Sequence, residues 1–253
     1  MARQARKKSA SGIYHIMMRG INRQNIFEDQ VDYIRFIQTL RQYKEISGYQ
    51  IYAYCLMGNH VHLLLKVGEE PLEQAMRRIC GSFVYWYNQK YQRIGNLFQD
   101  RFKSEPIEND SYFLTVLRYI HQNPLKAGLV TNIEDYQWSS IGNYISREQF
   151  VDTKFALQMF DADPQKAVRS FIQFCKTVSD DHCLEIEDKH QILDTEAIDL
   201  IKNVCQVKDA SDIQKLDKVM RNKYLRQLKE EYHLSIRQIE RLTGINRGII
   251  FNA

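Results

Sequence analysis

Two histidines on one short apolar segment are the first residues of this 253-residue chain whose types and spacing could do chemistry. His60 and His62 flank a single valine, and the apolar run that precedes them, residues 51–57, is joined to theirs by Gly58-Asn59. Short runs rich in β-branched and aromatic residues around a Gly-Asn pair predict a β-hairpin. Because side chains alternate along a strand, both imidazoles should project from the same face of the sheet.

The histidine pair has two interpretations. The three leucines that follow, Leu63 to Leu65, indicate a strand covered on both faces, where an imidazole is costly unless its nitrogens find partners. The rings could be strand-end histidines bonded to backbone or water. They could equally be two ligands of a divalent metal, for which imidazole is the commonest protein ligand. The strand alone leaves both interpretations open.

A tyrosine and an asparagine form the second candidate pair. Asp110 is a plausible N-cap for a helix that should end at Asn123, because the residue before a proline avoids helical dihedrals. Tyr119 and Asn123 are four residues apart and therefore neighbours on one helix face. In isolation they would be a packing tyrosine and a cap. His121 should face elsewhere and is excluded from a metal set, and His15 is assigned to packing or DNA contact.

The elements around these residues alternate in a way that predicts an α+β fold. Residues 13–19 form a strand, and a helix from Asp29 or Gln30 to Gly48 follows. Its predicted apolar stripe is Val31, Ile34, Ile37 and Leu40. After the hairpin, Pro71 opens a second helix, and a short strand is expected near residues 104–107.

Cations interleaved with aromatic residues on and after the second helix favour a surface for single-stranded nucleic acid, with phosphates on the cations and bases stacked on rings. An ordinary solvated helix face would have the same pattern. The candidate DNA-binding residues of this region are Arg77, Arg78, Lys90, Arg93, Arg101 and Lys103.

Charge and hydropathy limit the class of protein. The net charge is +4, with 19 Lys and Arg against 14 Asp and Glu in residues 1–150 and 16 against 17 in the remainder. This is a weak indication of a polyanionic partner. No apolar run is long enough for a membrane span, and the N-terminus lacks the apolar core of a signal peptide, so the sequence predicts a cytoplasmic protein.

The second part of the chain, residues 151–253, reads as helical, and the boundary between the two domains is predicted near residue 150. A long helix is expected from Asp212 to Tyr232. Residues 234–253 then resemble a helix-turn-helix, with Ser235 as N-cap and Gly244 at the turn. Such a motif would offer Asn246 and Arg247 to duplex DNA, although the same pattern would also serve as a helical cap.

Together, His60-Val-His62, Arg118-Tyr-Ile-His-Gln-Asn-Pro124 and Trp138-Ser-Ser140 resemble the REP-associated tyrosine transposases, which belong to the HUH superfamily of single-strand DNA endonucleases. The resemblance covers roughly residues 10–145. It implies a ferredoxin-like α/β sandwich with an antiparallel central sheet, in which the tyrosine helix lies beside the histidine strand.

The resemblance also implies a chemistry. Tyr119 would attack a phosphodiester and form a 5′-phosphotyrosine, while His60, His62 and Asn123 would hold a divalent metal. Two imidazoles and an amide oxygen suit Mn²⁺ by softness, and Mg²⁺ remains open. The expected partner is single-stranded or hairpin DNA at repeated palindromic elements. The alternative is a DNA- or RNA-binding regulator without strand cleavage, and the sequence leaves monomer and homodimer open.

Overall fold

The computed structural model describes residues 6–146, 150–179, 181, 183–184, 194–232 and 234–253. Contacts between Cα atoms divide the chain into two compact units, Met1–Ile186 and Glu187–Ala253. The first unit extends past residue 150, because a short helix and a longer one that follow that position pack on it. The domain boundary near residue 150 stays a prediction.

A four-stranded antiparallel sheet with the order β2-β3-β1-β4 forms the centre of the first unit. The connection β1-α1-β2-β3-α2-β4 with this strand order is the ferredoxin-like arrangement, so the predicted α+β sandwich is confirmed. The strands are β1 (Ile13–Arg19), β2 (Gln50–Met57), β3 (His60–Lys66) and β4 (Lys103–Ile107). The helices are α1 (Gln30–Ser47), α2 (Leu72–Lys90), α3 (Asp110–Lys126), α4 (Ile141–Ser146), α5 (Thr153–Leu157) and α6 (Pro164–Lys176).

Helices cover both faces of this sheet. On one face α2 contacts β1 through the sulfur atoms of Cys80 and Met18, which are 3.3 Å apart, and α1 packs on α2 with the rings of Phe36 and Phe83 5.0 Å apart. His15 lies three residues before Met18 on β1 and therefore projects from the other face. That other face is covered by α3.

The stripe predicted for α1 is wrong at its first turns, where Val31 and Ile34 are 54% and 46% exposed. The helix instead turns Asp32 inward. The Asp32 carboxylate accepts hydrogen bonds from the backbone N–H of Glu28 (2.7 Å), the ammonium of Lys90 (2.7 Å) and the hydroxyl of Tyr91 (2.8 Å). A buried polar network, which apolar periodicity does not register, fixes how α1 sits on α2.

Helix α3 begins and ends slightly differently from its prediction. Its N-cap is Asn109, whose side chain accepts from the backbone N–H of Tyr112 (2.8 Å), so Asp110 is the first helical residue. The helix runs past Pro124 to Lys126. Proline lacks the N–H of an interior helical bond, yet the N–H of Ala127 still reaches the carbonyl of Asn123 (2.9 Å) and closes the last turn.

Polar groups anchor α3 to the rest of the first unit. His121 is fully buried and bonds to the carbonyl of Leu117 (2.8 Å) and the hydroxyl of Ser140 (2.8 Å). Gln122 donates to the carbonyls of Cys175 and Thr177, both at 2.8 Å, at the end of α6. These bonds fix the rotation of α3 about its own axis.

The second unit consists of helices in its described part. These are α7 (Asp194–Cys205), a 3₁₀ turn (Ala210–Lys215), α8 (Lys218–Glu230), α9 (Ile236–Thr243) and α10 (Arg247–Phe251). The continuous helix predicted over 212–232 is therefore wrong, because Asp217 caps a new helix. Ser235 caps α9, and Gly244 ends it at φ 73°, as expected. None of the described helices is both long and apolar enough to cross a membrane.

We expect Asp32→Ala to destabilise the first unit by about 1–3 kcal/mol, because the backbone N–H of Glu28 and the hydroxyl of Tyr91 lose their buried acceptor. Urea unfolding would measure this change. Glu45→Ala, an exposed carboxylate on the same helix, is the matched control and should stay within about 0.5 kcal/mol of the parent. Equal effects of the two substitutions would contradict the role given to Asp32.

His121 should make the folded protein less stable as the pH is lowered. Burial lowers the pKa of His121 to about 4, whereas an unfolded histidine titrates near 6.5. The unfolded state therefore binds a proton first as pH falls, and at pH 5 this destabilises the native state by about 2 kcal/mol. His121→Gln does not titrate, so its unfolding free energy should drop less between pH 7.5 and 5.0 than that of the parent. Equal drops would refute this assignment.

Candidate active site

The two predicted histidines lie together on β3. His60 and His62 project from the same face, with ring centroids 5.1 Å apart. The antiparallel register sets Arg19 directly opposite His60 and Met17 opposite His62 on β1. Gly20 then turns the chain away, and it must be glycine because a Cβ there would lie 2.2 Å from the carbonyl oxygen of Gln24. The end of β1 is thus held close against the histidine strand.

A third histidine joins this pair. His15 is fully buried on β1, and its Nε2 lies 3.0 Å from Nδ1 of His62, with the two rings stacked at a centroid distance of 5.2 Å. The two residues are diagonal neighbours across the β1–β3 ladder, within reach for long side chains. His15 therefore belongs to a histidine cluster rather than to a separate packing contact.

Tyr119 brings α3 to this cluster. Its ring centroid is 5.6 Å from that of His62 and 5.9 Å from that of His15, and the residue is 3% exposed. The amide nitrogen of Asn123 donates to the Tyr119 carbonyl (2.9 Å), which ties this side chain to the backbone of the tyrosine. The Nζ of Lys126 lies 5.4 Å from the centre of the Tyr119 ring.

Two histidines of the cluster, His15 and His62, are uncharged at neutral pH. Burial lowers the pKa of His15 to about 3. Burial also lowers the pKa of His62 well below its ordinary value, and the neighbouring His15 and His60 rings add to this shift. Neutral imidazole is the form that has a lone pair for a metal ion. Two basic side chains stand beside the cluster, Arg19 opposite His60 on β1 and Lys126 near the Tyr119 ring.

The donor set can be tested for its fit to a divalent cation. The described residues contain no cluster of three or more His, Cys, Asp or Glu side chains able to hold a metal. Two imidazoles are present, however, and the oxygen of Asn123 one turn after Tyr119 supplies a donor of another type. Two nitrogens and one amide oxygen fit Mn²⁺, and Mg²⁺ less closely.

The cations predicted to bind DNA from α2 lie on the layer opposite the cluster. Arg78 forms a bidentate ion pair with Glu70 (2.8 and 3.0 Å), and Lys90 is held by Asp29 and Asp32. Arg93, just after α2, donates to Gln24 (3.3 Å), and Arg77 is exposed. The structure does not bring these four cations to Tyr119.

The remaining predicted DNA-binding residues are spread over both units. Lys103 is exposed on β4 directly opposite Met17, so it shares the sheet face of the histidines, and Arg101 is exposed just before it. In the second unit Asn246 caps α10 through a 2.8 Å bond to the N–H of Gly248. Arg247 is paired with Glu240. These contacts are local, and DNA binding by these residues stays a prediction.

Sequence reasoning missed three neighbours of the cluster. Arg19 and His15 could be found only with the β1–β3 register, which strand patterns of a single chain do not fix. Lys126 had a local signal, because positions 119, 123 and 126 are spaced to share one helix face. Continuing α3 past Pro124 was the step needed to see it.

Comparisons with known proteins agree with this geometry. Residues 8–123 match the family described as "Transposase IS200 like". A Haemophilus influenzae protein assigned to the REP-associated tyrosine transposases is 29% identical over 131 residues, which cover 46% of this chain and 73% of that protein.

Solved structures give the same fold. A REP-associated tyrosine transposase bound to a REP hairpin covers 74% of this chain and 100% of its own, with a TM-score of 0.51 at 17% identity. At that identity the likeness concerns the fold alone. The resemblance predicted from His60-Val-His62 and the Tyr119 helix is confirmed. Residues 8–123 therefore match the IS200-like transposase family, and the chain is similar to the REP-associated tyrosine transposases.

Proposed function

We propose that this chain is a metal-dependent endonuclease and strand transferase that acts on single-stranded or hairpin DNA through Tyr119. The observation that carries the proposal is the ring of Tyr119 at 5.6 Å from that of His62, in a part of the chain that matches a transposase family. The solved relative binds a REP hairpin, which supports repeated palindromic elements as the substrate here.

The reaction would conserve the phosphoester. The Tyr119 oxygen attacks the scissile phosphorus and loses its proton to solvent, the bond to the 3′ oxygen breaks, and that oxygen takes up a proton. The products are a 5′-phosphotyrosine and a free 3′-hydroxyl. When a 3′-hydroxyl attacks the phosphotyrosine, the tyrosine leaves and the strand is rejoined without ATP. Covalent catalysis thus divides strand exchange into two similar steps.

His60, His62 and the oxygen of Asn123 are the groups that would hold the cation. A bound Mg²⁺ or Mn²⁺ would supply Lewis-acid stabilisation of the phosphate charge. The three residues themselves contribute orientation. The hydrogen bond of Asn123 to the Tyr119 carbonyl ties that side chain to the tyrosine, and β3 fixes the spacing of the two histidine rings. An uncharged set of ligands leaves the full charge of the cation available to the phosphate.

The cations beside the cluster would bind the DNA backbone. Arg19 lies opposite His60, Lys126 stands over the Tyr119 ring, and Lys103 is exposed on the same sheet face. Positive charge placed where the phosphate gains negative charge stabilises the transition state. Lys126 would also stabilise the phenolate of Tyr119, since it is already near the ring.

The second candidate function is DNA binding by the second unit. The turn at Gly244 joins two short helices, α9 and α10, in the order of a helix-turn-helix, and Arg237 is exposed on α9. This favours an additional contact with duplex DNA, either beside catalysis or as the activity of a non-cleaving regulator. Whether the protein acts as a monomer or a homodimer can be read from the stoichiometry of its hairpin complex.

Tyr119→Phe should abolish the covalent protein–DNA adduct and retain hairpin binding, because only the nucleophilic oxygen is removed. Labelled hairpin oligonucleotides, Mn²⁺ and a denaturing gel would measure this. Tyr112→Phe, on the same helix, is the matched control and should form the adduct normally. Adduct formation by Tyr119→Phe would exclude Tyr119 as the nucleophile, and wild-type binding without any adduct would favour the regulator.

Lys126→Gln should slow adduct formation about tenfold, in keeping with the loss of one positioned charge, and leave Mn²⁺ affinity unchanged. Single-turnover rates at saturating metal would show this. Lys154→Gln, an exposed lysine on α5, is the comparison and should react at the parental rate. If both variants react equally fast, Lys126 has no part in the chemistry.

A further inference from the structure

We infer that His15 is a positioning residue that accepts a hydrogen bond from Nδ1–H of His62 and so selects Nε2 of His62 as its metal-binding nitrogen. This inference rests on the proposed metal site and names a residue that the site would need in addition. Its basis is the 3.0 Å contact between Nε2 of His15 and Nδ1 of His62.

Either ring could donate the hydrogen bond, and the choice decides which nitrogen of His62 can bind a metal. A neutral imidazole has one N–H and one lone pair, so a bond between two neutral rings requires one to donate and the other to accept. If His15 donates, His62 has its remaining hydrogen on Nε2 and no lone pair there. If His62 donates, its Nε2 has a lone pair that can bind a cation. Metal binding at Nε2 of His62 is therefore compatible with only the second arrangement.

The burial of His15 protects its hydrogen bond with His62 from water. The residue is completely buried, and its ring stacks on His62 at an interplanar angle of 28°. Its partner contact is thus shielded from water, which would otherwise compete for Nδ1 of His62. Histidine ligands of metals are generally oriented by an acceptor at the second ring nitrogen, and loss of that acceptor weakens metal affinity 10- to 100-fold. Here an imidazole takes the place usually held by a carboxylate or a carbonyl.

A second observation is that His15 occupies its buried position at a cost. Its Nδ1 is buried and has no hydrogen-bond partner in the described part of the chain. A buried polar atom without a partner is unfavourable, so an apolar side chain would suit the position better on packing grounds. The hydrogen bond that Nε2 of His15 makes with His62 accounts for a histidine at this position despite the unpaired Nδ1.

The first test compares two substitutions by Mn²⁺ titration of the DNA-free protein, with free Mn²⁺ followed by electron paramagnetic resonance. His15→Leu removes the acceptor of the Nδ1–H of His62 and should weaken Mn²⁺ binding 10- to 100-fold. His15→Gln places an amide oxygen near the former Nε2 and should restore affinity to within about threefold of the parent. Ile16→Val, on the same strand but on the opposite face, should bind as the parent does.

The second test needs no variant. In protein with ¹⁵N-labelled histidine, saturation with diamagnetic Mg²⁺ should leave the His62 resonances with a protonated Nδ1 and a metal-shifted Nε2. A protonated Nε2 in the metal-bound protein would overturn the inference, as would equal Mn²⁺ affinities of His15→Leu and the parent; cleavage through Tyr119 would then still stand. Absence of Mn²⁺ binding by the parent would overturn both this inference and the proposed metal site.

Discussion

The packing of α3 on the histidine-bearing face of an antiparallel sheet is the constraint on which the rest of this domain depends. Tyr119 comes from one segment and the two histidines of β3 from another, and they meet only because α3 lies across that face. Polar anchors of α3 at His121 and Gln122 fix its rotation. A small rotation of the helix would turn Tyr119 away from His62. Groups far from the cluster thus determine its geometry.

Polar groups are buried on both sides of the sheet. Asp32 and Lys90 lock α1 to α2 beneath one face, and His15 and His62 pair on the other. Each arrangement is favourable only when complete, because a buried polar group that loses its partner pays its desolvation cost in full. The Asp32 network is complete, whereas His15 keeps one unpaired nitrogen. We expect this difference between a network that stabilises the fold and one that serves the proposed metal site.

Much of the fold could be predicted from the sequence because its signals are local. The hairpin around Gly58-Asn59, the capped ends of α1 and the start of α2 at Pro71 are each encoded within a few residues. The predictions were wrong where contacts with residues distant in the sequence determine the local structure. Asp32 faces inward only because Lys90 and Tyr91 meet it, and α3 continues through Pro124 because its last turn can close at Ala127.

The candidate site divides in the same way. The pairs His60 with His62 and Tyr119 with Asn123 follow from strand and helix periodicity, and the family motif joins them. The partnership of His15 with His62 depends on the β1–β3 register, which no local pattern specifies. Charge patterns were least informative, because the cations of α2 read as a DNA surface although Arg78 and Lys90 are paired within the protein.

The most direct test of the central claim is to map the covalent adduct by mass spectrometry. Trypsin cleaves after Arg118 and Lys126 and releases residues 119–126, a peptide in which Tyr119 is the one tyrosine. After reaction with a hairpin oligonucleotide and nuclease trimming, we expect this peptide to carry a nucleotide linked through its 5′ phosphate. A nucleotide on any other tyrosine-containing peptide, or a 3′ linkage, would contradict the assignment of Tyr119 as the nucleophile.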